Sequence, residues 1–232
     1  MDLLDIPHQQ IKGWFFDLDG TLMDTDDQAV EALARRLRIF GKQGARRLAR
    51  QLVMMGETPM NHVMTLMDII GLDSSIFALR KRLSRQMRPT FRLIEGVRPL
   101  LAHLATVNKV AIVSTRSQED AAEFLRQHDL GRFFALSVTQ ETTKRLKPHA
   151  QPVVHAAQHL GLSPSECVMV GDTPVDILAA RRAGAWAIGV LCGFGEEREL
   201  WRAGAHSVLP SPADILPLIT TEVQQRTGAE IG

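Results

Sequence analysis

The feature that most constrains this chain is a repeated one. A short, wholly apolar run stops on a polar residue, and a helix follows. Trp14-Phe15-Phe16 runs into Asp17, Val110-Ala111-Ile112-Val113 into Ser114, and Val168-Met169-Val170 into Gly171-Asp172. Continuous apolar runs of this length read as strands covered on both faces, as in a parallel sheet packed between helices. Strands joined through helices pair in parallel with right-handed crossovers. The expected fold class is therefore α/β with a parallel sheet. In such sheets the carboxyl ends of the strands line the ligand crevice, so Asp17, Ser114 and Asp172 belong to one edge.

The alternation places strands at 11–16, 109–113, 134–139, 167–170, 186–191 and 206–209. Helices are expected at 97–105, 117–128, 150–160, 174–183, 196–203 and 213–219. Residues 26–95 break the pattern: they carry helical spacing and helix-start signals such as Thr58-Pro59, and no strand signal. A helical domain inserted into an α/β core is the expected organisation. The core is then 1–24 with 96–232, the insertion is 25–95, and the polar tail 221–232 is expected to fray.

Composition narrows the function classes. The chain of 232 residues is 45% hydrophobic, enough for a sizeable core, and its net charge of +1 gives no general case for nucleic acid. No apolar run reaches the roughly 18 residues of a membrane span. The start, Met1-Asp2-Leu3-Leu4-Asp5, lacks the basic and apolar regions of a signal peptide. Cys167 and Cys192 are too few for a disulfide framework. These features lead to an expectation of a cytoplasmic protein, monomeric or homodimeric, that binds neither membrane nor nucleic acid.

At the carboxyl edge, Asp17 and Asp19 lie one residue apart where the chain leaves the first strand, and Gly20 permits the turn that brings both to one spot. Ser114-Thr115-Arg116, Lys147-Pro148 and Gly171-Asp172-Thr173-Pro174-Val175-Asp176 complete the polar clusters. Carboxylates, a hydroxyl, helix starts and one lysine form an inventory suited to phosphate and Mg²⁺. The residue types alone leave Ser114 open as a helix-entry residue and Lys147 as a solvated loop charge. His155 and His159 are four apart on an expected helix, but no third ligand accompanies them, and an exposed face is the simpler reading.

Asp17-Leu18-Asp19-Gly20-Thr21, Ser114, Lys147-Pro148 and Gly171 to Asp176, in this order, resemble the motifs of the haloacid dehalogenase superfamily, in its phosphoglycolate-phosphatase-like branch. The position of the helical insertion and the stretch Gly193-Phe194-Gly195 match it too. The resemblance implies a Rossmann-like core with a helical cap that selects substrate. It implies Asp17 as the nucleophile that becomes an aspartyl phosphate, and Asp19 as general acid and then base. Ser114 would bind a phosphoryl oxygen and Lys147 would neutralise charge. Asp17, the backbone carbonyl of Asp19 and Asp172 would hold Mg²⁺, with Asp176 and Thr21 supporting them from behind. Thr115 and Arg116 stand where many relatives carry Asn and Lys or Gly, which is expected to alter substrate contacts only. In the insertion, the loop Gly56 to Thr58 resembles the substrate-specificity loop, and with Asn61 and His62 just after it is expected to contact substrate.

The leading expectation is a Mg²⁺-dependent phosphatase for a small phosphorylated metabolite. Phosphoryl transfer within a sugar phosphate, as in β-phosphoglucomutases, is the alternative; Thr21 argues against it, because those mutases usually carry Val there. A phosphatase of broad sugar or nucleotide specificity is another. Dehalogenation fits less well, since that chemistry needs no Mg²⁺ and usually lacks a carboxylate at the position of Asp19. A non-catalytic binder leaves the full motif set without purpose. Charge gives the substrate a direction: residues 26–95 hold thirteen Lys and Arg against seven acids, a net +6, while the remainder is −5. A basic insertion favours a phosphate ester with a second anionic group, phosphoglycolate first, although the same charges could be a solvated helix face.

Overall fold

A computed structural model describes residues 6, 7, 10–24 and 91–220 of the chain. The chain divides into two compact units, Met1–Thr25 with Arg92–Gly232, and Asp26–Phe91. The helices expected up to residue 90, the expected substrate contacts Gly56, Thr58, Asn61 and His62, and the tail 221–232 all lie outside the described residues.

The first unit is built on a six-stranded sheet: β1 (Gly13–Phe16), β2 (Lys109–Val113), β3 (Leu136–Val138), β4 (Cys167–Gly171), β5 (Trp186–Val190) and β6 (Ser207–Leu209). The spatial order is β3-β2-β1-β4-β5-β6, with every neighbouring pair parallel. The connecting helices are α1 (Val97–Val107), α2 (Gln118–Gln127), α3 (Gln151–His159), α4 (Pro174–Ala183) and α5 (Glu197–Ala203), with a further helical turn over 215–220. This is the Rossmann-like arrangement, and the strand order reverses direction between β1 and β4. Among the described residues no helix is long and apolar enough to cross a membrane.

β1 is central because both of its faces are apolar. Phe15 is fully buried on one face, in a cluster with Ala111, Val113, Val153, Ala156, Met169 and Ile177. Trp14 and Phe16, two apart and so on the other face, stack at 6.5 Å between ring centroids. Burial on both sides sets the position of the strand end, and therefore of Asp17, firmly in the sheet. Phe16 pairs with Ile112 on one side and Val170 on the other, which brings the ends of β1, β2 and β4 level.

The element starts follow local chemistry. Ser117 caps α2, its side chain accepting the Asp120 N–H at 3.1 Å. Thr173 and Asp176 form a capping box at the start of α4, with Pro174 in the first turn. The third strand is shorter than the sequence suggests. Phe134 closes a 3₁₀ turn, its N–H bonding back to the Gly131 carbonyl, and so cannot yet pair with β2.

Candidate active site

Asp17 leaves β1 with its N–H donated to the Val170 carbonyl of β4 (3.0 Å), so its backbone stays fixed at the switch point of the sheet. Asp172 follows β4 directly and is fully buried. Asp176, in the first turn of α4, is also fully buried. Carboxylate oxygens of Asp17, Asp172 and Asp176 lie within 4.8 Å of one another. Three like charges this close are unfavourable in a buried place unless cations face them.

Lys147 is one such cation. Its Nζ lies 2.5 Å from Asp176 Oδ1 and 2.9 Å from Asp17 Oδ1, and it donates to the Val113 carbonyl at 2.9 Å. The sequence left open a solvated loop charge; the structure places the side chain in the buried cluster, 2% exposed. The contact to Asp17 is an ion pair, and beyond this ammonium no protein donor meets the buried Asp17 Oδ1. Burial pushes the Asp17 carboxyl up to about 7; the Lys147 ammonium pulls it down, and the charges of Asp176 and Asp19 add to the rise. Burial also opposes the Lys147 charge, but Asp17 and Asp176 outweigh it and hold the ammonium above its ordinary value.

Asp172 is framed by main chain. Its Oδ2 accepts the Phe194 N–H at 2.8 Å, its carbonyl accepts the Gly195 N–H at 3.0 Å, and its Oδ1 accepts from the Thr21 hydroxyl at 3.4 Å. A Cβ at Gly193 or at Gly20 would collide with the Asp172 carboxylate, so both close approaches depend on glycine. Gly20 also has φ +66, a left-handed conformation that other residues adopt at a cost. The pattern Gly-Phe-Gly after β5 carried this signal in the sequence, but its contact with Asp172 was not derivable from it.

The second cation is Arg116. Its Nε lies 2.6 Å from Asp19 Oδ2 and its Nη2 2.6 Å from Asp19 Oδ1, a two-point pair, while Nη1 reaches Asp120 at 3.5 Å. Burial opposes the Arg116 charge, and the Asp19 hydrogen bonds with the charges of Asp19, Asp120 and Asp17 outweigh it, raising its pKa. Sequence reading gave Arg116 a substrate contact and no tie to Asp19. Asp120, four residues on, was missed, although the Arg-to-Asp spacing across a helix start could have indicated it. Ser114 is buried beside this pair, and its Oγ accepts the Arg116 N–H at 3.2 Å. Thr115 is half-buried.

Asp17, Asp19, Thr21, Ser114, Thr115, Arg116, Lys147, Asp172 and Asp176 are thus gathered at the carboxyl ends of β1, β2 and β4. Four carboxylates face two cations, and the donors available are hard oxygens. That set, with Asp17 Oδ1 buried and met by the Lys147 ammonium alone, fits a divalent metal ion held by oxygen. Asp176 is already committed to Lys147 and, through Oδ2, to the Thr173 N–H (3.1 Å) and hydroxyl (2.7 Å), which leaves Asp17 and Asp172 as the stronger ligand candidates. His155 and His159 stack at 3.8 Å on α3, outside this cluster.

Comparison with known proteins places the chain in a family. The family model of haloacid dehalogenase-like hydrolases matches residues 14–190. A phosphoglycolate phosphatase of Neisseria meningitidis is 31% identical over 199 residues, covering 81% of this chain and 83% of that protein. A phosphatase of phosphorylated carbohydrates from Thermotoga maritima is 28% identical, covering 88% and 96%. The crystal structure of a hydrolase from Pseudomonas syringae superposes with a TM-score of 0.66 at 28% identity, covering 90% and 98%. The chain belongs to the haloacid dehalogenase-like hydrolase family, in its phosphoglycolate-phosphatase-like branch.

Proposed function

We propose that the protein is a Mg²⁺-dependent phosphatase that hydrolyses a small anionic phosphate monoester, with Asp17 as the nucleophile. The observation that carries this reading is the buried Asp17 carboxylate at the sheet's switch point, whose Oδ1 has the Lys147 ammonium 2.9 Å away and no other protein donor. An Asp17 oxygen attacks phosphorus, the bond from phosphorus to the ester oxygen breaks, and an aspartyl phosphate forms on Asp17. Asp19 gives a proton to the departing oxygen. It then takes one from the water whose oxygen attacks phosphorus, and the bond to Asp17 breaks to release phosphate. Lys147, held in place by Asp176 and the Val113 carbonyl, offsets negative charge on Asp17 and on the group in transfer. The Ser114 hydroxyl and the Thr115 N–H are the donors for phosphoryl oxygens. Mg²⁺ bound by Asp17, Asp172 and the Asp19 carbonyl would neutralise phosphoryl charge and order the in-line geometry.

The net +6 of residues 26–95 supports a second anionic group on the substrate, such as a carboxylate. The relationship to a phosphoglycolate phosphatase supports the same choice, while the relationship to a carbohydrate phosphatase favours neutral sugar phosphates. Phosphate release measured with Mg²⁺ across a metabolite panel separates the two. Phosphoglycolate and other esters whose leaving group carries an anionic group should rank first. No phosphate release from any member would contradict the phosphatase reading, and isomerised sugar phosphate without net release would indicate a mutase.

A further inference from the structure

Arg116 grips both oxygens of Asp19 at 2.6 Å, and the grip is built rather than incidental. The arginine backbone is pinned on both sides: its N–H donates to Ser114 Oγ at 3.2 Å, and its carbonyl accepts the Gln140 N–H at 3.0 Å. Its guanidinium is braced from the other side by Asp120, which belongs to the first turn of α2. Two-point pairing fixes direction as well as distance, which a single ammonium contact does not. A carboxylate offers about four lone-pair sites, so a fork that uses one on each oxygen leaves one on each for proton transfer.

We propose that Arg116 is the positioning residue for Asp19, orienting its carboxyl for proton transfer to the leaving oxygen and from water, with Asp120 as its brace. This inference rests on the acid–base role proposed for Asp19. It departs from a substrate-binding role for Arg116, because the guanidinium is occupied by Asp19 and Asp120. Misplacing a reacting group by about 1 Å can cost about a hundredfold in rate. Loss of the fork should therefore act on the proton-transfer steps while leaving substrate binding nearly intact.

Single-turnover and steady-state kinetics of the full chain with Mg²⁺ test this with two esters. Phosphoglycolate departs as an alkoxide and needs a proton, whereas p-nitrophenyl phosphate departs as a phenolate and does not. Release of the leaving group is followed for Arg116→Ala, Arg116→Lys, Asp120→Asn and Asp19→Asn, with thermal unfolding as a check on folding. Arg116→Ala should slow phosphoglycolate cleavage by about ten- to a hundredfold, nitrophenol release by less than about threefold, and leave KM within about threefold. Arg116→Lys should recover part of the loss, since it keeps the charge and one contact, and Asp120→Asn should show a smaller loss of the same selectivity. Equal slowing of both esters, or a raised KM with kcat unchanged, would overturn the positioning role. The Lys and Asn variants decide the matter if Arg116→Ala does not fold. Asp19→Asn separates the two claims. If it shows no leaving-group selectivity, the acid–base reading fails; if it does and the Arg116 variants do not, only the positioning role fails.

Discussion

Lys147 and Asp176 form a buried ion pair, with Nζ 2.5 Å from Oδ1 and side chains 2% and 0% exposed. Asp176 spends its other oxygen on the Thr173 N–H and hydroxyl at the start of α4. One side chain thus ties the lysine of the loop before α3 to the helix that follows Asp172. Removing Asp176 takes one charged hydrogen bond from Lys147, which keeps Asp17 as its counter-ion, and such a bond is typically worth about 1.5–3 kcal/mol. Asp176→Ala should destabilise the metal-free protein by about that amount in urea unfolding, and Thr173→Ala by only about 0.5–2 kcal/mol, the value of a cap. An Asp176→Ala protein within about 1 kcal/mol of the parent would contradict the pairing.

The raised Asp17 carboxyl predicts a pH-dependent stability. In the unfolded chain this group releases its proton near 3.8, and in the folded, metal-free protein near 7. Between those values the folded state holds the extra proton, so stability falls as pH rises through the window and levels off above it. At about 1.36 kcal/mol per unit, the loss is on the order of 4 kcal/mol. Asp17→Asn lacks this titration. Its stability advantage over the parent should grow from near zero at pH 4 to a plateau above pH 7, measured by denaturant unfolding in chelator. A difference that stays constant across that range would show that Asp17 is not held above its ordinary value.

How much of this was legible in the sequence depends on the range of each contact. The strands β2 and β4 and the helices α2 and α4 announce themselves through apolar runs and caps, because their causes are local. The gathering of Asp17, Ser114 and Asp172 at one edge followed from parallel topology, which turns strand ends into neighbours, whereas Lys147 follows no strand and was assigned to the site only by the family resemblance. The Arg116–Asp19 fork joins residues 97 positions apart and depends on the rotamer of a long side chain, which no periodicity encodes. The frame of Phe194 and Gly195 around Asp172 was hidden for the same reason. The edge strand β3 was over-extended, because the apolar residues Phe134 and Ala135 look like strand although the first of them closes a turn.

Asp172 and the glycine beside it predict the metal dependence. Asp172→Ala removes a carboxylate, and Gly193→Ala places a methyl group against it. Both variants should raise the Mg²⁺ concentration for half-maximal activity by more than about tenfold, as loss or displacement of a ligand does. The same variants should weaken Mg²⁺ binding to the ligand-free protein by calorimetry. Full activity of the parent in excess chelator would refute the metal centre.

The basic character of residues 26–95 predicts a salt-sensitive substrate preference. Phosphoglycolate should exceed neutral sugar phosphates in kcat/KM. The ratio should fall as ionic strength rises from about 0.01 to 0.15 M, over which the Debye length shrinks from about 30 to 8 Å. A ratio near one at low salt would leave the charge of that segment without a role in recognition.

Covalent capture on Asp17 tests the proposed chemistry most directly. The protein, with Mg²⁺, is mixed with a ³²P-labelled ester such as phosphoglycolate, quenched in acid within milliseconds, digested, and mapped. Label should appear transiently on the peptide that carries Asp17. It should persist longer in Asp19→Asn, where water is not activated, and vanish in Asp17→Asn with the phosphatase activity. Turnover with no labelled peptide, label on another residue, or activity retained by Asp17→Asn would contradict the assignment of Asp17 as the nucleophile.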